Sequence, residues 1–312
     1  MSKLKANNHF SFSGHETFPF RHGWLKKGVD AVMGDPGFFG NDRAMIGLGV
    51  GKNMVQSIRH WCLIGGLIQE GEGPTSRGQL FPTEIGTRLF SNGGFDPYLE
   101  DPGSLWLLHW LIACNLRAAT TWYWMFSYWN GIEFTKDHIN YEIQSWVEKH
   151  GSNPISSNSL KRDLDCFVRT YVQSRQTKPG HIEDTLDCPL IDLRLITELS
   201  DGKTYQFQRG PQVSLPNEIF AFAFTEFWRL SASDARSIAF EKIAYDPGSP
   251  GRIFKLDEDS IAARLEGIGE LTGGAFTYDE TAGLKQVYKH REPKPMSLLA
   301  AFYNSQKGKK AA

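Results

Sequence analysis

Three polar side chains stand close together near the N-terminus: His15, Glu16 and Arg21, in the run FSGHETFPFR at residues 12–21. A His–Glu pair has the chemistry of a general acid/base or of metal ligands, and an arginine beside it can clamp a phosphate. The same residues can equally hold the loop together. In that reading His15 and Glu16 hydrogen-bond the loop and cap the helix starting at Trp24, while Arg21 pairs with an acid. Other motifs exclude familiar chemistries. The stretch GLGVGKN at residues 47–53 fails as a phosphate-binding loop, because Ile46 stands where its first glycine belongs and Asn53 where a magnesium-binding Ser or Thr belongs. No H-E-x-x-H, G-x-S-x-G or dinucleotide-binding G-x-G-x-x-G is present. Asp184 and Asp187, beside Cys188, have the residue types for a divalent ion or for a solvated acidic loop.

A second constellation has the chemistry of nucleic-acid binding. On a helix from residue 52 to about 63, Lys52, Asn53, Gln56, Arg59 and His60 fall within roughly 60° of one line. Met54, Val55, Ile58, Trp61 and Cys62 take the opposite side. The polar face carries no acid of its own. Its residue types reach base edges or phosphates: Arg to guanine, Asn or Gln to adenine, Lys to phosphate. Arg77, at the tip of a following hairpin, and Arg88 after it can touch the backbone. The alternative is a solvated face that meets protein, since fold does not decide function.

These side chains need elements to hold them. The expected fold is mainly α with short β-hairpins: tandem winged helix-turn-helix-like units joined by a helical core. Helices are expected at 24–33, 41–48 with Asn41 as N-cap, and 52–65. Short strands at 67–69 and 79–81 and a helix at 83–90 would complete an N-terminal DNA-binding domain at residues 1–95. Residues 96–212 are expected to hold the helical core, with helices at 137–150 and 160–172. A hairpin turning at Asp201-Gly202 completes a second unit. There Asp163 and Asp165 offset Lys161, Arg162 and Arg169. Residues 213–312 form a third unit, whose helix from Asp257 to Leu271 is acidic and is expected to contact protein. The lysine-rich tail, 306–312, is expected to fray.

The whole chain has 312 residues and a formal net charge of −1, so DNA affinity must come from a local patch. Its four cysteines form no C-x-x-C pair and fit free thiols in a reducing compartment. The polar start lacks the apolar region of a signal peptide, and the longest apolar run, 105–114, is too short to span a bilayer. A cytoplasmic location with no membrane partner is the expectation.

Five blocks carry a resemblance that spans nearly the whole chain: FSGHETFPFRHGWLKKG at 12–28, LGVGKNMVQSIRHWC at 48–62, LDCPL at 186–190, GSPGRIFKL at 248–256 and ETAGLKQVY at 280–288. They resemble a bacterial family first described without a function and encoded beside genes for DNA phosphorothioation. That family includes the nicking component of Ssp-type modification and anti-phage systems. The resemblance implies a DNA nicking endonuclease that opens one strand for sulfur insertion. It implies a divalent cation, magnesium or manganese, and as partners a cysteine desulfurase, an ATPase and a sulfur-transfer ATP pyrophosphatase. Within it, His15 and Glu16 are candidates for acid/base or metal ligation, with Arg21 and Lys52 on the scissile phosphate. A non-catalytic DNA-binding recruiter of the sulfur-transfer proteins and a winged-helix transcriptional regulator are the competing expectations. A homodimer is expected because winged-helix proteins often pair on DNA.

Overall fold

A computed structural model describes residues 10–150, 155–173 and 188–311. The acidic positions Asp184 and Asp187 lie outside the described residues. The described residues are mainly helical, with one two-stranded and two three-stranded antiparallel sheets.

The first helices form where the apolar residues recur at helical spacing. Helix α1 (Trp24–Gly34) buries Trp24, Leu25, Val29 and Val32. Helix α2 (Ala44–Leu48) ends on Gly49, whose φ of 67° is the left-handed conformation that closes helices. Asn41 does not cap α2. Its side chain accepts from Arg43 N–H at 2.9 Å and closes a turn just before the helix. Helix α3 (Lys52–Ile64) buries Val55, Ile58, Trp61 and Cys62. Strands β1 (Ile68–Glu70) and β2 (Leu80–Pro82) pair with Gln69 opposite Phe81. Helix α4 (Glu84–Phe90) starts at Thr83, whose hydroxyl accepts from Gly86 N–H at 3.0 Å.

Two helices apolar on nearly every side follow, α5 (Pro102–Ala113) and α6 (Thr120–Ser127). Such helices belong inside a protein, and Trp106, Leu108, Trp110, Trp122 and Phe126 are all buried. Next come β3 (Glu133–Thr135), α7 (Lys136–His150), α8 (Ser157–Tyr171), β4 (Ile196–Glu198) and β5 (Thr204–Phe207), with sheet order β3-β5-β4. The Asp201 carboxylate accepts from Lys203 and Thr204 N–H, which sets the turn between β4 and β5.

The last stretch holds α9 (Asn217–Ser231), β6 (Ser237–Ala239), α10 (Phe240–Tyr245) and α11 (Pro250–Ile253). It continues through α12 (Glu258–Glu266), α13 (Ile268–Leu271), β7 (Phe276–Thr281) and β8 (Leu284–Lys289). The expected helix from Asp257 to Leu271 is broken at Gly267. The sheet order, β6-β8-β7, follows the same pattern as β3-β5-β4. Strands β3 and β6 are not among the expected elements; each supplies the third strand of its sheet. Helix α14 (Pro295–Ala311) follows and reaches into the lysine-rich tail. It is anchored by buried Leu299, Phe302 and Tyr303, and the Tyr303 hydroxyl meets Ser104 at 2.8 Å.

Candidate nucleic-acid interface

The polar residues of α3 face outward as the wheel requires. Lys52, Asn53 and Gln56 are exposed, and Arg59 and His60 are half-buried. The face is not free of acids, because Glu70 of β1 lies 3.6 Å from Arg59. Arg77 is exposed in the β1–β2 connection. Arg88 is engaged with Glu84 at 2.9 Å, one helical turn away.

Residues 10–18 run as an irregular strap across α3. Gly14 passes so close to His60 that a β-carbon there would lie 2.6 Å from Nδ1 of the ring, so only glycine allows the crossing. The carbonyl of Phe18 accepts from Trp61 Nε1 at 2.8 Å and from the Ser57 hydroxyl at 3.3 Å. Ser13, Glu16 and Thr17 adopt positive φ values of 76°, 48° and 66°. Such conformations persist only where surrounding bonds over-determine them.

Asp163 of α8 supplies those bonds. Its Oδ1 accepts from Ser13 N–H at 2.8 Å and from His15 Nε2 at 2.6 Å. Its Oδ2 accepts from the Thr121 hydroxyl of α6. On the other side of the His15 ring, Nδ1 accepts from Thr17 N–H at 3.0 Å. The ring proton therefore sits on Nε2, and both nitrogens are used inside the protein. His15 is 1% exposed. Arg169, farther along α8, donates to the Thr17 carbonyl. The strap thus ties α3 to α6 and α8.

This geometry separates the candidate residues. His15 is interior, packed edge-on against His60 and Trp122. Glu16, beside it in sequence, is exposed. Arg21 is half-buried and lies 5.4 Å from the Trp24 ring and 5.9 Å from the Phe18 ring. It forms no ion pair among the described residues, so its charge is stacked rather than neutralised. Neither His15 nor Glu16 caps α1, whose N-cap is Gly23 without a side-chain hydrogen bond. Burial, reinforced by the neighbouring His15, lowers the His60 pKa to about 4, so that ring is neutral near pH 7. The central partner is Asp163, which local sequence shows only as a charge offsetting Lys161 and Arg162. It stands 148 residues from His15, beyond the reach of any local pattern.

No group of three or more His, Cys, Asp or Glu side chains able to hold a metal occurs among the described residues. The Asp163 oxygens are taken by donors, which leaves Glu16 as the exposed carboxylate of the strap. Magnesium is commonly held by one or two carboxylates with waters and phosphate oxygens, so Glu16 could hold the ion only together with such outside ligands, not in a cage built by protein alone. Cys62, Cys166 and Cys188 are buried, Cys114 is half-buried, and all four are free thiols. Among the described residues no helix is long and apolar enough to cross a membrane.

No curated protein matches the sequence significantly. Among solved structures, the chain is similar to a crystal structure of SspB, with 32% identity and a TM-score of 0.87. That match covers 97% of this chain and 91% of the other. A magnesium ion-bound SspB crystal structure matches with 32% identity and a TM-score of 0.86, over 97% and 91% of the two chains. The model of the family described as Protein of unknown function (DUF4007) matches residues 12–303, so the chain belongs to that family and has an SspB-like structure.

Proposed function

We propose that the chain binds duplex DNA and nicks one strand for phosphorothioate modification, as the nicking member of an Ssp-type defence system. The observation that carries this reading is the strap. It carries an exposed carboxylate, Glu16, on a segment whose backbone is pinned across α3 at Gly14 and Phe18. In this reading residues 24–90 act as a winged helix-turn-helix with α3 in the major groove. Lys52, Asn53, Gln56 and Arg59 contact bases and phosphates, Arg77 follows the backbone, and Arg21 holds a phosphate. His60 supports the strap from beneath. His15 is a positioning residue: it fixes the strap through Asp163 and so places Glu16. A magnesium ion shared between Glu16 and a DNA phosphate would supply charge stabilisation at that phosphate. The partners are the sulfur-transfer proteins: a cysteine desulfurase, an ATPase and an ATP pyrophosphatase.

The engagement of both His15 nitrogens favours a second reading, a non-catalytic recruiter that uses the same DNA face. Supercoiled plasmid separates the two. It is incubated with the protein in magnesium, in manganese and in EDTA, beside Glu16→Gln and Arg59→Ala. Metal-dependent open circle, lost in Glu16→Gln while its gel shift persists, supports the nickase. A salt-sensitive shift weakened by Arg59→Ala, with no open circle under any condition, leaves the recruiter. Neither nicking nor shift overturns both.

A further inference from the structure

The block at residues 248–256 has no part in the interface above, yet it lines a second cleft. This cleft, of about 260 Å³, is walled by Trp129, Phe207, Arg209, Tyr245, Arg252 and Lys255. Lys255 is only 9% exposed. Its ammonium lies 4.1 Å from the Phe207 ring centre, and among the described residues its hydrogen-bond partner is the Phe126 carbonyl at 3.5 Å. Arg252 donates to the carbonyls of Ser127 and Trp129. Arg209, exposed, donates to the Leu256 carbonyl at 3.1 Å and lies over Tyr245.

None of these cations forms an ion pair among the described residues, and no acid lines the cleft. The acids next in the chain lie outside the cleft lining: Asp257 accepts from Ser260 N–H and also feels the charge of Arg209, and Glu258 accepts from the Tyr245 hydroxyl. Burial, with the charges of Arg252 and Arg209, pushes the Lys255 pKa well down. A buried ammonium without a counter-charge is costly, so burial and the neighbouring guanidiniums disfavour the charged form of Lys255 until an anion enters the cleft. The missing complement is an anion. Lysine and arginine together suit phosphate oxygens, and the aromatic walls suit a base, which stacks without regard to its identity.

We propose that this cleft binds the phosphate of a nucleotide, with Lys255 and Arg209 on the oxyanion and the aromatic walls holding the base. The site is separate from the face of α3, so it stands or falls independently of the proposed nicking. The phosphate can come from a free nucleotide or from a strand end.

The test is calorimetric titration of the full chain with inorganic phosphate, deoxyadenosine monophosphate and a 5′-phosphorylated single-stranded oligonucleotide. Wild type should saturate with one molecule of the nucleotide or the oligonucleotide, and more tightly than with inorganic phosphate. Lys255→Met should weaken that binding at least tenfold, and Arg209→Gln several-fold. Both variants should leave the duplex gel shift unchanged. Arg209 is exposed, so its variant keeps the test valid if Lys255→Met folds poorly. Tighter binding of the oligonucleotide than of the mononucleotide names a strand as the source; the reverse names a free nucleotide. No saturation by any probe, affinities equal to that of inorganic phosphate, or affinities unmoved in both variants would overturn the proposal.

Discussion

The Asp163 carboxylate collects donors from the strap and from α6, and its burial makes each of them matter. An amide in its place keeps the shape but turns one acceptor into a donor facing donors. Hydrogen bonds to charged groups are worth roughly 1.5–3 kcal/mol, so Asp163→Asn should lower unfolding stability by about that amount in urea. Glu16→Gln, on an exposed side chain, should stay within about 0.5 kcal/mol of wild type. Equal losses from the two variants would mean that Glu16 is structural and that the strap does not present it. The buried rings make a second residue-scale prediction. His109 donates from Nε2 to the Ile253 carbonyl and accepts at Nδ1 from the Tyr171 hydroxyl, so it folds neutral. Burial lowers its pKa from 6.5 to about 4, and His60 is lowered in the same direction. The unfolded chain therefore binds more protons between these values. The stability held above pH 6.5 is lost as pH falls toward 4, by up to about 3 kcal/mol for His109. His109→Gln, which can replace both hydrogen bonds, should flatten the profile over that window relative to wild type. An unchanged slope would show that other groups carry the acid sensitivity.

Helix α3 can present its polar row only because α1 lies close beneath it. Gly28 permits that approach: a β-carbon there would sit 2.5 Å from Cys62 Sγ and 3.0 Å from the Ile58 side chain. Overpacking of this kind typically costs about 1–3 kcal/mol. Gly28→Ala should lower the melting temperature and weaken the duplex gel shift. Adding Cys62→Ala, which removes the nearest atom, should recover most of the loss. A double variant no better than the single one would mean that the two helices do not approach as described. Much of this level was legible in the sequence, because periodicity and turn residues act within a few positions. The polar row of α3 and the Asp201 turn are cases in point. What stayed hidden depends on distant partners. Strand β3 is three residues long and has meaning only beside β5, some seventy positions later. Likewise, nothing near His15 announces Asp163.

At the scale of the molecule, the strap bonds to both α3 and α8, and the proposed DNA-binding reading puts basic residues of both helices on one duplex. Arg162 is exposed and lies two helical turns before Arg169, on the same side of α8. Removing one cation that neutralises a phosphate should reduce the salt dependence of duplex binding by about 0.9 in log–log slope. Arg59→Ala and Arg162→Ala should each lower the slope by about that much, and the pair by about the sum. Helices α12 and α13 make the opposite case: they expose Glu266 and Glu270, which phosphate would repel. Glu266→Gln with Glu270→Gln should therefore leave both the affinity and the slope where they were. If that pair instead tightened duplex binding, the acidic face would lie near the DNA path. The expected protein contact would then have to be sought elsewhere on the chain.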